Sequence, residues 1–140
     1  MAEAEFDDLI LHTPKEQLAL LQRLRPRMST LEFVFHDGHA GHPLVEQLSG
    51  LAPERVQGVG ARPGYQRAEP RAVLHRYGYD RSIIAALRDL GGLFSWVIHP
   101  RGDRVELTGL DTVDVAIYDA RGRLFFYTVT HEGLIFVRDA

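Results

Sequence analysis

The chain reads as an α+β domain in which a C-terminal antiparallel β-meander of about five strands packs with two or three helices. Three observations predict this class. From Leu93 onward, apolar and polar residues alternate at period two, with turn signals between short runs. Residues 14–25 and 80–90 carry leucines and isoleucines at helical spacing behind good N-terminal caps. The 140 residues are 45% hydrophobic and 25% charged, a composition that supports one core, so residues 1–140 are read as a single domain.

The first helix is predicted over 14–25. Thr13 suits the N-cap, Pro14 the first helical position, and Glu16 completes a capping box. Leu18, Leu21 and Leu24 recur at helical spacing, and Pro26 stops the helix. Leu31, Phe33 and Phe35 then alternate with Glu32 and Val34, which predicts a strand. A polar turn from His36 to His42 follows. Pro43 opens a short helix with Leu44, Val45 and Leu48, closed by Gly50.

Residues 51–70 hold Pro53, Gly58, Gly60, Pro63, Gly64 and Pro70, with Arg55, Arg62 and Arg67 between them. They read as a long Gly/Pro/Arg loop, and loops of such length in small domains are usually functional. A strand is expected over 72–77. Asp80 caps the last helix, which carries Ile83, Ile84, Leu87 and Leu90, and Gly91-Gly92 closes it. The meander strands are expected at 93–98, 104–108, 113–117, 124–130 and 134–137. Both faces of the runs around Trp96 and Phe125 are apolar, as in strands buried on two sides.

Composition removes several functions. There is no cysteine, so disulfide frameworks, thiol nucleophiles and thiolate zinc sites are excluded. No apolar run approaches the roughly 20 residues of a membrane-spanning helix. The acidic N-terminus lacks the pattern of a signal peptide, and the expected location is cytoplasmic. The net charge of −3 argues against a dedicated nucleic-acid binder. No serine sits in a G-x-S-x-G elbow, and the glycines at 58, 60 and 64 do not match a dinucleotide fingerprint.

The expected function is therefore that of a non-enzymatic protein-binding module that occludes a partner protein, such as an inhibitor or immunity protein of a bacterial toxin. Partner contacts are expected from Arg55, Arg62, Tyr65 and Arg67 in the long loop, and from Asp111, Asp114 and Tyr118 on a solvent-facing sheet surface. No cofactor is needed on this reading. The first alternative is a metal-dependent enzyme or sensor in which His36, His39 and His42 hold zinc or another divalent ion, since imidazoles are standard ligands. Their spacing matches no standard helical ligand motif. The second alternative is nucleic-acid binding by the arginine loop with aromatic stacking. Leu134–Val137, as a free sheet edge, would also allow a homodimer.

Overall fold

The computed structural model describes residues 7–9, 14–36, 38, 42–60, 62, 71–92, 96–98, 104–106, 113–129 and 134–138. In chain order the elements are β1 (Asp7–Leu9), α1 (Pro14–Leu24), a 3₁₀ turn (Arg25–Arg27), β2 (Thr30–Phe35), α2 (Pro43–Gln47), β3 (Glu54–Gln57), β4 (Val73–Gly78), α3 (Arg81–Asp89), β5 (Trp96–Ile98), β6 (Arg104–Glu106), β7 (Val113–Tyr118), β8 (Leu124–Val129) and β9 (Leu134–Val137). The expected α+β class holds.

Helix ends follow local chemistry. Asp80 caps α3 by accepting from the Ser82 N–H at 2.9 Å and from the Ser82 hydroxyl at 2.6 Å. At the other end Gly91 takes φ +93°, which a residue with a Cβ rarely adopts. Its N–H reaches the Arg88 carbonyl at 3.0 Å, and the Gly92 N–H reaches the Leu87 carbonyl at 2.9 Å. That pair of bonds is a Schellman closure. α1 ends at Leu24, one residue before the expected stop, because Pro26 tightens the next three residues into a 3₁₀ turn.

Seven strands form one antiparallel sheet in the order β1-β9-β8-β7-β2-β4-β3. β7, β8 and β9 make the expected meander. β5 and β6 are strands as expected and, among the described residues, pair with each other as a separate two-stranded sheet. β2 inserts between β4 and β7, so Phe33 lies opposite His75 on one side and Val115 on the other. The expected free edge at β9 is occupied: β1 pairs along it, Asp7 opposite Val137 and Leu9 opposite Ile135. The segment expected as loop from 51 to 70 contains β3, a strand of four exposed residues on the outside of β4. β3 is held by β4's backbone groups, and its side chains carry no burial pattern from which to read it.

The core fixes one face of the sheet. Leu31, Phe33 and Phe35 of β2, Val113, Val115 and Ile117 of β7, and Ile135 and Val137 of β9 pack with Leu20, Leu21 and Leu24 of α1, Leu44 of α2 and Ile83 and Leu87 of α3. At Ile117/Tyr118 the register shifts, so Phe126 faces Ile117 while Leu124 faces Tyr118. The extra residue is Phe125, and this bulge buries two adjacent phenylalanines in the same core. The Arg27 guanidinium lies 4.3 Å from the Phe125 ring centre and donates to the Arg138 carbonyl at 2.9 Å, tying the 3₁₀ turn to the end of β9.

The β7–β8 hairpin is set by Asp119. Its Oδ1 accepts from the N–H groups of Arg121 and Arg123 at 2.9 and 3.0 Å, and its Oδ2 from Arg123 Nε at 3.0 Å. Bonding to the Arg123 and Arg121 amides holds this carboxyl below its ordinary pKa of 3.8. A depressed carboxylate stabilises the fold fully above the unfolded-state value and loses that contribution as pH falls through the lower folded-state value. Asp119→Asn should therefore flatten the acid limb of the stability–pH curve below about pH 4. Denaturant midpoints measured across that range check it; parallel acid limbs for variant and parent would refute it.

Candidate functional site

Period-two alternation sends a second set of side chains to the other face of the sheet. Val34 and Leu74 pack there with Val59 and Ala72 in a small cluster to which no helix contributes among the described residues. Glu32 and Val34 of β2, Leu74 and Arg76 of β4, and Asp114, Ala116 and Tyr118 of β7 share this face by register. Tyr127 of β8 lies opposite Ala116 and Phe136 of β9 opposite Tyr127, which extends it to the far strands.

Glu32 organises the face. Its side chain is 3% exposed, and a buried carboxylate requires partners. Oε2 accepts from Arg62 Nη2 and from Arg76 Nε, each at 2.9 Å, and Arg76 Nη2 lies 2.7 Å away as an ion-pair contact. Oε1 accepts from the Tyr118 hydroxyl at 2.9 Å. Arg76 turns its Nη1 to Glu54 Oε2 at 2.8 Å, which links β3 into the network. The hydrogen bond to Glu32 raises the pKa of Arg76 above its ordinary value. Tyr118 is pushed up to about 12, first by burial and then by the charge of Glu32, so it stays a donor at physiological pH.

These groups balance. Two guanidiniums, Arg62 and Arg76, face two carboxylates, Glu32 and Glu54, and leave the cluster with no net charge. Among these four groups no cation is left uncompensated, and phosphate binding depends on uncompensated cations. The network also leaves Glu32 poorly suited to proton transfer, since both oxygens already accept charged or phenolic donors. What reaches solvent is Glu54, 62% exposed, and the outer surface of Arg62 and Arg76, each 33% exposed. Beside them lie the partly exposed Tyr118 and the stacked rings of Tyr127 and Phe136, 4.7 Å apart at 16°.

The sequence-predicted site residues separate accordingly. Arg62 and Tyr118 meet on Glu32. Arg55, on β3 opposite His75, points to the other face and is exposed. Asp114 is not the solvent-facing carboxylate expected: it is 2% exposed and bonds His36 Nε2 at 2.8 Å. β2 and β7 are both central, so even the residues between their core positions are covered. Tyr65, Arg67, Asp111 and His39 lie outside the described residues.

His36 and His42 turn to different partners. His36 bonds Asp114 on the second face. His42 caps α2 by accepting from the Leu44 N–H at 3.1 Å, with its ring edge-on to Phe35 on the helix face. No group of three or more metal-binding side chains occurs among the described residues. Among the described residues, no helix is long and apolar enough to cross a membrane.

Sequence reasoning passed over Glu32, Arg76 and Phe136. The available signal was a charge inside an apolar run: Glu32 within Leu31–Phe35, and Arg76 between Leu74 and Tyr77. Each needs a buried partner of opposite sign, and the two are partners. No protein-family model, curated protein or solved structure matches the chain.

Proposed function

We propose that this chain is a protein-binding domain that occludes a partner protein through the second face of its sheet, as an inhibitor or immunity protein of a toxin does. One observation carries the reading. A charge-balanced network, fixed in place by a buried carboxylate whose two oxygens both accept hydrogen bonds, lies beside a partly exposed Tyr–Phe stack. Rigid tyrosine and arginine side chains are the usual anchors of protein interfaces, and holding them before contact lowers the entropy cost of association. Arg62 and Tyr118, expected as contacts from the sequence, lie within this network.

The test is capture of a stoichiometric partner by the full chain, repeated with variants. Tyr127→Arg on the second face should weaken capture at least about tenfold, the loss typical of a central aromatic anchor. Arg55→Glu, on the opposite face, should leave it unchanged. Equal capture by Tyr127→Arg and the parent would overturn the proposed surface. Loss on Arg55→Glu alone would move the interface to the other face.

A further inference from the structure

A groove lies where α1 passes into the 3₁₀ turn. Gln22, Arg25, Pro26 and Tyr79 line an open groove of about 350 Å³. Arg25 Nε donates to Tyr79 Oη at 2.8 Å, and Nη1 donates to Gln22 Oε1 at 3.0 Å. Both acceptors are neutral. The guanidinium is partly buried, and no carboxylate pairs with it among the described residues.

Three other partly buried arginines differ in this respect. Arg62 and Arg76 are matched by Glu32 and Glu54. Arg27 is spent on the Phe125 ring and the Arg138 carbonyl. Arg25 instead has its planar fork oriented by two neutral groups, with Nη2 left to donate. Tyr79 Oη, already accepting from Arg25, keeps its own hydrogen to donate. The nearby carboxylate of Asp80 is turned to the Ser82 N–H and hydroxyl, where it caps α3. Among the described residues the groove therefore offers one positive charge without a paired carboxylate and two kinds of donor, with Pro26 as an apolar wall.

We propose that the groove is a carboxylate-binding site, in which Arg25 Nη2 and the Tyr79 hydroxyl donate to one carboxylate. A single guanidinium suits a planar monoanion better than a phosphate dianion, which calls for more than one cation. The carboxylate belongs either to a small organic acid or to an acidic side chain of a partner protein. The site stands independently of the sheet-face proposal.

The experiment titrates the full-length chain and follows the Arg25 Nε–H and the Tyr79 amide in ¹H–¹⁵N spectra, at constant ionic strength set with sodium chloride. The probes are sodium acetate and an acetylated, amidated peptide with one internal glutamate. Saturable shifts with both are expected. Tighter binding of acetate assigns a small acid, and tighter binding of the peptide assigns a partner side chain. Arg25→Gln should weaken either probe at least about tenfold, as loss of a charged hydrogen-bond donor does. Tyr79→Phe should weaken it several-fold while retaining the parent's spectral dispersion. Arg25→Lys, which keeps charge but loses the fork, should fall between Arg25→Gln and the parent. No saturable shift with either probe, or shifts undiminished in both Arg25→Gln and Tyr79→Phe, would overturn the proposal.

Discussion

Replacing Glu32 by alanine is expected to destabilise the domain by about 2–3 kcal/mol. Removing one partner from a buried charge pair typically costs about 3–5 kcal/mol, because the remaining charge keeps its burial and loses its compensation. Arg62 and Arg76 are 33% exposed, so water recovers part of that loss. Tyr118 also loses its acceptor, and among the described residues Arg76 is left with Glu54. The tie between β2, β3, β4 and β7 is thus broken at one atom group. Urea unfolding should show a lower midpoint at unchanged slope. A Glu32→Ala variant within about 0.5 kcal/mol of the parent would mean that the network contributes nothing to the fold. The pairwise share of Arg62 then follows from a double-mutant cycle with Arg62→Ala, whose single effect should be smaller because Arg76 still holds Glu32.

Phe33→Ala is expected to cost more, about 3–5 kcal/mol, and to be the most damaging single truncation in the sheet. Phe33 is fully buried on the central strand. Its ring meets Tyr77 edge-on at 5.9 Å and 71°, and by register it lies between His75 and Val115. The surrounding positions are fixed by strand pairing on both sides, so the cavity cannot collapse. Thermal and urea unfolding both measure the effect; a loss below about 1 kcal/mol would show a core far more adaptable than this packing implies.

The two faces of the sheet were not equally legible. α3 was readable end to end, because Asp80 and Gly91-Gly92 carry its caps and Ile83, Ile84 and Leu87 its buried stripe. Strands β2, β7, β8 and β9 were readable from alternation. Pairing of β2 with β7 was not, because alternation fixes which residues share a face and says nothing about which distant strand lies alongside. That pairing makes both strands central, which turns Asp114 from an expected surface carboxylate into a buried one. β1 and β3 escaped for a related reason. Each is short and takes its place from the partner's backbone, and the side chains of β3 are exposed throughout.

The candidate site was half visible. Arg62 and Tyr118 were recognised by residue type, but their common partner Glu32 read as the polar side of an amphipathic strand. The histidines illustrate the converse. Three imidazoles within seven residues suggested convergence, yet the strand end and the α2 cap direct His36 and His42 to opposite faces.

The most direct test of the binding proposal is backbone hydrogen exchange of the chain alone and with its captured partner. Protection is expected to concentrate in the strands that carry Tyr118, Tyr127 and Phe136, with α1 and α3 unchanged. Protection confined to the helices, with those strands exchanging as in the free chain, would contradict it.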